Sequence, residues 1–190
     1  MTVLTRNRPR GGRFHRARTT AIIAGLLGAA ALTLTGCGIF PAGGQKEASA
    51  SAMLQEIPGV DTVYLGTNSS YSGVIKQSFL NTHVTLEPGA VVTNLPALLE
   101  YVLAVTWSAN QLEPNQSVSV GISSEGATVP GLLAAADSLG WTSARTLPMT
   151  NSDLFLSLDE VRAKLGSWPG KVPSTPSGLI EVAVAPTPAG

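Results

Sequence analysis

Only a few residues in this chain have side chains suited to covalent, acid–base or metal chemistry. Cys37 is the only cysteine, and His83 is the only histidine that follows it. A metal site needs two or more His, Cys, Asp or Glu ligands close together, so His83 alone predicts no metal site. Ser-His-Asp chemistry would have to use His83 as its base, but no serine lies in a Gly-x-Ser-x-Gly pattern. We therefore expect His83 to be an exposed strand residue, and we predict neither an enzyme nor a bound cofactor.

The acidic residues are mostly scattered singly along the chain. Asp159-Glu160 is the exception, and it suits the first turn of a helix, where the helix dipole favours negative charge. An enzyme that uses converging carboxylates is an alternative hypothesis, which acids gathered around His83 would favour. The tryptophans are expected in the core or at its edge, with the lining of a ligand groove as the alternative: Trp107, Trp141 and Trp168.

The segment before Cys37 has three parts of different composition. Residues 1–18 carry six arginines and no Asp or Glu, and residues 19–35 are uncharged and rich in Ala, Gly, Leu and Thr. Thr35 and Gly36, which are small, then precede Cys37. A positive region, a short apolar region and a small-residue cleavage site are the signature of a secretory signal peptide. The apolar run is short for a membrane-spanning helix, which needs about 20 residues.

Leu34-Thr35-Gly36-Cys37 resembles the lipobox of bacterial lipoproteins. In that family the signal is cut just before the cysteine, here between Gly36 and Cys37, and the thiol carries a diacylglyceryl group with acyl chains such as palmitate. The resemblance implies a protein anchored through Cys37 to the extracytoplasmic face of the cell membrane. The composition is similar to that of actinobacterial proteins. An N-terminal membrane helix with an incidental cysteine is the alternative interpretation.

Removing residues 1–36 changes the charge of the chain. The whole chain has 12 basic and 12 acidic residues, and the first 36 residues contain six of the bases and none of the acids. The remaining 154 residues carry a net charge of −6. This balance argues against a nucleic-acid partner, which requires clustered Lys and Arg. It also argues against electrostatic adhesion to an anionic membrane, so the lipid would have to hold the protein there.

Hydrophobic periodicity and turn residues predict the elements that follow. The expected helices are 47–57, 95–110, 132–139 and 158–165, the last opened by a capping box of Ser157 and Glu160. Asn94 is the expected N-cap of the second helix. The expected strands are 60–67, 72–86, 117–123, 142–147, 154–156 and 179–184, with Asn68-Ser69-Ser70 as the turn between the first two.

This order predicts an α+β fold that resembles a ferredoxin-like α/β plait, with an antiparallel sheet and the helices on one face. A signal-peptide helix would precede it. The expected organisation is a signal peptide at 1–36, a flexible tether at 37–46, one α+β domain at 47–185 and a tail at 186–190. The pattern leaves open whether residues 142–185 complete the same sheet.

The leading hypothesis for function is a non-enzymatic, lipid-anchored binding domain of the cell envelope. Its partner would be an envelope protein or a cell-wall component. The alternative is a small-molecule or peptide binding component that serves a transporter. Against this alternative, 154 residues is small for a two-lobed binding protein.

Overall fold

The computed structural model describes residues 44–147 and 153–182. These residues all belong to one compact unit. Among them, no helix has the length and apolar character needed to cross a bilayer. The predicted signal peptide, Gly36 and Cys37 lie outside the described residues, as do most of the tether and the tail at 186–190.

The described chain is an α+β domain with four helices and a mixed sheet. In chain order the elements are α1 Glu47–Gln55, β1 Val60–Ser72, β2 Ile75–Leu86, β3 Ala90–Val92, α2 Leu95–Ser108, β4 Ser117–Ser124, β5 Ala127–Thr128, α3 Leu132–Ser138, β6 Arg145–Thr146, β7 Leu154–Ser157, α4 Leu158–Leu165 and β8 Ile180–Val182.

The main sheet has the strand order β1-β2-β4-β7-β6, and β5 pairs with β4 at one end. The pairing of β2 with β4 is parallel, whereas the other pairings are antiparallel. This corrects the predicted antiparallel sheet. The physical reason is the crossover through α2. It carries the chain from the end of β2 back to the end of the sheet where β2 begins, so β4 starts there and runs in the same direction as β2.

The first hairpin is longer than the sequence predicts. Its strands pair residue for residue from Val63 opposite Val84 to Ser72 opposite Ile75. The turn is Gly73-Val74, and Gly73 has a φ of +64°, a conformation that favours glycine at the first position of a two-residue hairpin loop. The predicted turn at Asn68-Ser69-Ser70 is therefore wrong, because those residues pair with Phe79, Ser78 and Gln77 in the ladder.

The helices cover one face of the main sheet, and α2 lies at the centre of their layer. It contacts α1, α3, β2 and β4, and Trp107 at its end donates from Nε1 to the carbonyl of Gly166, just past α4, at 3.0 Å. On the covered face the strand residues are buried and mostly apolar, among them Leu80, Val84 and Val120. The opposite face of β2 carries half-buried residues instead.

The predicted N-cap of α2 forms, and the predicted capping box of α4 forms in part. The Asn94 side chain accepts a hydrogen bond from the Ala97 N–H at 3.1 Å at the start of α2. The Ser157 hydroxyl accepts from the Glu160 N–H at 3.4 Å at the start of α4. The Glu160 carboxylate does not complete the capping box, because it accepts bonds from Thr142 and Ser143 instead.

The two ends of the described chain are tied to the domain. β8 pairs with β3 in a separate two-stranded sheet, whereas β6 and β7 join the main sheet. Gln45, within the predicted tether, accepts from the Asn110 N–H at 2.7 Å and donates its own N–H to the Ser108 carbonyl at 2.8 Å. Residues 44 and 45, within the predicted tether, are therefore hydrogen-bonded to the domain.

Candidate functional site

A polar cluster lies on the face of the main sheet that the helices leave uncovered, here called the open face. Strand register forms a row across it: Tyr64 lies opposite His83, and His83 lies opposite Gly121. Asp153 precedes β7 and continues the row, because Val120 pairs with Leu154 in an antiparallel ladder. Because successive side chains along a strand point to opposite faces of the sheet, the residues of this row all lie on the same face.

His83 is at the centre of the cluster. Its Nε2 lies 2.9 Å from the Ser123 hydroxyl oxygen, and its Nδ1 lies 3.5 Å from Asp153 Oδ1. The first distance is a hydrogen bond, and the second becomes an ion pair when the ring is protonated. The side chains of His83 and Asp153 are 35% and 29% exposed, whereas Ser123 is buried. A binding partner can therefore reach the histidine and the carboxylate from solvent.

Gly121 makes the close approach of His83 and Asp153 possible. A Cβ atom at this position would collide with Asp153 Oδ1 and His83 Nδ1. Since both contacted atoms belong to the cluster itself, any larger residue would push the two side chains apart. The glycine is required by space here.

A second polar pair lies beside this row. Ser119 Oγ donates to Asn81 Oδ1 at 2.6 Å, and Asn81 Nδ2 donates to the Phe79 carbonyl at 3.4 Å. On the other side, the Tyr64 hydroxyl donates to Asn68 Oδ1 at 3.3 Å and half of the tyrosine is exposed. The open face therefore presents donors, acceptors and one exposed aromatic ring.

Ser123, His83 and Asp153 have the residue types of a hydrolytic triad, but the strand does not supply the rest of such a site. Acyl transfer requires N–H groups aimed at the developing oxyanion. Ser123 is paired with Thr85 on one side and Thr128 on the other. Its backbone N–H lies in the plane of the sheet, not on the face that carries its hydroxyl. The N–H of Ser123 therefore cannot serve as an oxyanion donor on the face that carries the Ser123 hydroxyl.

No group of three or more His, Cys, Asp or Glu side chains that could hold a metal ion occurs within residues 44–147 and 153–182. Asp153 is the acid that the structure places beside His83. Within those ranges the cluster thus lacks the converging carboxylates that would favour an acid-dependent enzyme.

Glu160 has a structural role next to this region. Burial acts to raise its pKa, but hydrogen bonds from the hydroxyls and N–H groups of Ser143 and Thr142 outweigh that effect and lower the pKa to about 2. Ser143 Oγ also accepts from the Ser157 N–H at 3.0 Å. The carboxylate therefore joins the start of α4 to the loop that leads into β6.

The tryptophans lie where the sequence predicts. Trp107 and Trp141 are buried, and Trp168 is partly buried against the core. Trp107 also lines a cleft of about 540 Å³ between α2, α4 and residues 170–174, whose rim carries Lys164 and Lys171. This cleft lies on the helical side of the domain, away from the open face.

Sequence reasoning singled out His83 but not its partners. Ser123 and Asp153 lie 40 and 70 residues farther along the chain. One signal was present in β4, where Ser119, Gly121 and Ser123 alternate with three apolar residues. That alternation identifies a polar face on a strand, although it does not identify the strand beside it.

Comparisons with protein-family models, with curated proteins and with solved structures find no match to this chain.

Proposed function

We propose that this protein is an extracytoplasmic lipoprotein anchored to the cell membrane through Cys37, with a non-enzymatic domain that binds an envelope protein or a cell-wall component. The anchor is supported by the order of basic region, apolar run and lipobox that ends at Cys37. The binding role is supported by the open face of the sheet, which the helices leave uncovered.

The observation that carries the binding role is the contact set of His83. A histidine that is hydrogen-bonded to a buried serine and close to a carboxylate is held in one orientation. When a partner binds there, the His83 side chain loses less conformational entropy than a mobile surface side chain would, so binding costs less free energy. This arrangement of His83 and Asp153 requires a glycine at position 121, whereas a sheet surface without such a cluster would accept a larger residue there.

The binding role is tested by crosslinking in cells followed by mass spectrometry. We expect the unmodified chain to capture one reproducible envelope partner, and His83→Ala to lose it. The matched control is Glu56→Ala, an exposed residue at the end of α1, which keeps the partner. Equal capture by His83→Ala would contradict the role of the open face. Covalent labelling of Ser123 by a fluorophosphonate probe would contradict the non-enzymatic proposal.

The anchor is tested by the mass and fractionation of the full-length protein. We expect the peptide that begins at Cys37 to carry a lipid, and Cys37→Ala to leave the membrane fraction. Two acyl chains hold a protein stably, because each buried methylene contributes about 0.8 kcal/mol. A Cys37→Ala protein that lacked the lipid and still fractionated with the membrane would contradict the anchor.

A second candidate function is ligand binding on behalf of a transporter. It is favoured by the cleft of about 540 Å³ beside Trp107, because Lys164 and Lys171 on its rim would attract an anionic small molecule or peptide. Isothermal titration with a library of anionic metabolites tests it. Saturable binding that Lys171→Gln abolishes and His83→Ala preserves would favour this candidate over the open face.

A further inference from the structure

The first hairpin ends in an apolar tip that nothing in the described chain covers. Val74 is 97% exposed, Tyr71 is 72% exposed and Ile75 is 62% exposed. Val74 lies in the Gly73-Val74 turn, and the strand register places Tyr71 and Ile75 beside it on opposite faces of the hairpin. A cluster of exposed aromatic and branched apolar side chains at the end of a projecting hairpin is costly in water, and it is typical of a surface that contacts another apolar phase.

The tip projects beyond the rest of the domain. β4 pairs with β2 only from Phe79 onward, and the last support on that side is Asn115, whose Nδ2 donates to the Lys76 carbonyl at 2.9 Å. On β1, Thr67 Oγ1 donates to Gln111 Oε1 at 2.7 Å. From Thr67 to Gly73 the strand advances about 20 Å, at roughly 3.3 Å per residue. Only about 7 Å of this length, from Tyr71 to Gly73, lies past the supported Lys76, which is opposite Tyr71.

The chain enters the domain at the same end. Gln45 forms a bridge with Ala109, and Gln111, two residues later, bonds to Thr67 at the base of the projecting hairpin. Seven residues lead from Cys37 to Gly44, and seven residues span at most about 25 Å. A lipid on Cys37 therefore holds the base of the hairpin within roughly the hairpin's own length of the bilayer.

The charges of the tip also fit a lipid surface. Residues 68–77 contain no Asp or Glu, and their one charged residue is Lys76. The chain after residue 36 has a net charge of −6, so the domain as a whole is not drawn to anionic lipid. The hairpin tip lacks the acidic residues that an anionic lipid surface would repel, so it can contact the membrane although the domain as a whole is acidic.

We infer that the Tyr71, Val74 and Ile75 tip inserts into the bilayer interface as a second membrane contact, an inference that rests on the proposed anchor at Cys37. A tip of three side chains is too small to hold a protein alone. Because the tether keeps it at high effective concentration near the lipid, a weak contact is sufficient. The hairpin then points into the membrane and the sheet stands upright, which leaves the open face accessible from the side.

The test uses the full-length protein with Val74→Cys. A lipidated Cys37 has no free thiol, so the new cysteine is the one that reacts with an environment-sensitive fluorophore. The purified protein is placed in phosphatidylglycerol–phosphatidylcholine vesicles whose acyl chains carry a quencher. The matched control is Val91→Cys, which is 59% exposed on β3 at the opposite end of the domain. The mass of the Cys37 peptide is measured on the same samples.

We expect the label at position 74 to shift to the blue and lose most of its emission, and the label at 91 to do neither. The result should not change between low and high salt, because the contact is apolar. Adding Ile75→Ser to the labelled chain should reduce the quenching.

Each other outcome would overturn the inference in a distinguishable way. A lipidated protein whose label at 74 is as unquenched as that at 91 would overturn the tip contact and leave the anchor intact. A Cys37 without lipid would overturn the anchor and the tip contact together. A label shielded from an aqueous quencher in native membranes, but not in protein-free vesicles, would show that a protein covers the tip.

Discussion

At the scale of single residues, the domain uses polar groups in two different ways. His83 and Asp153 form a cluster with the buried Ser123, and solvent reaches the first two side chains. Glu160 instead accepts bonds from two consecutive residues, Thr142 and Ser143, and this satisfies groups of its own chain. The partly exposed side chains of the first arrangement can form further hydrogen bonds, whereas the Glu160 carboxylate uses its oxygens to bond the loop before β6.

Glu160→Gln should lower the free energy of unfolding by about 1 kcal/mol at neutral pH, since hydrogen bonds to a charged group are lost and solvent screens a partly exposed carboxylate. The folded pKa of about 2 lies below the ordinary value of 4.5. The stabilisation is thus fully present above pH 4.5 and is lost as the pH falls toward 2.

Urea unfolding of both proteins between pH 7 and pH 2 measures this effect. The difference between the unmodified chain and Glu160→Gln should shrink below pH 4.5. Asp159→Asn is the matched control, because Asp159 is in the same first turn of α4. An equal loss of stability in both variants would attribute the effect to the helix dipole and not to the loop.

At the scale of elements, the two longest strands and one helix define the architecture. α2 is buried along most of its length, so tertiary packing and not helix propensity stabilises it. Its N-terminus remains at the surface, where the Asn94 side chain satisfies a backbone N–H that has no helical partner. The position of α2 also sets the direction of β4, and with it the place of Ser123 beside His83.

Asn94→Ala should lower the free energy of unfolding by about 1 kcal/mol, because the Ala97 N–H loses its acceptor. Asn110→Ala, just beyond the C-terminal end of the same helix, serves as the control and should cost less. Chemical denaturation with a common baseline measures both. Equal costs for the two variants would show that the cap contributes nothing specific.

At the scale of the whole molecule, Trp107 joins parts of the chain that are distant in sequence. It is fully buried at the end of α2. Its carbonyl accepts from the Gly170 N–H at 2.9 Å, and the Gly170 carbonyl accepts from the Gly44 N–H at 3.0 Å. Gly170 has no side chain, and a Cβ there would crowd the indole ring. The point where the chain enters the domain is thus coupled to the core.

Trp107→Phe should cost more stability than Trp168→Phe. The first change removes the hydrogen bond to the Gly166 carbonyl, worth about 1 kcal/mol, and also leaves a gap where the indole ring was fully buried. The second removes an indole N–H that is buried with no acceptor among the described residues, so less is lost. Thermal unfolding followed by circular dichroism compares them. A larger destabilisation by Trp168→Phe would contradict this account of the core.

The sequence by itself determined the local features of this protein. Helical periodicity and capping residues identified four helices, because each signal lies within a few neighbouring residues. The membrane anchor at Cys37 is likewise a local pattern, and it stays a prediction. The hairpin turn was misplaced, since Asn68-Ser69-Ser70 has turn composition, whereas the register of both strands selects Gly73-Val74.

Only the tertiary structure decided how these elements meet. The parallel pairing of β2 with β4 follows from the path of α2 across the sheet, and no local pattern encodes that path. The same pairing brings Ser123 to His83, and the return of β7 brings Asp153 to them. Contacts between residues 40 to 70 positions apart depend on the packing of the intervening chain, which is a collective property of the core and not of any one segment.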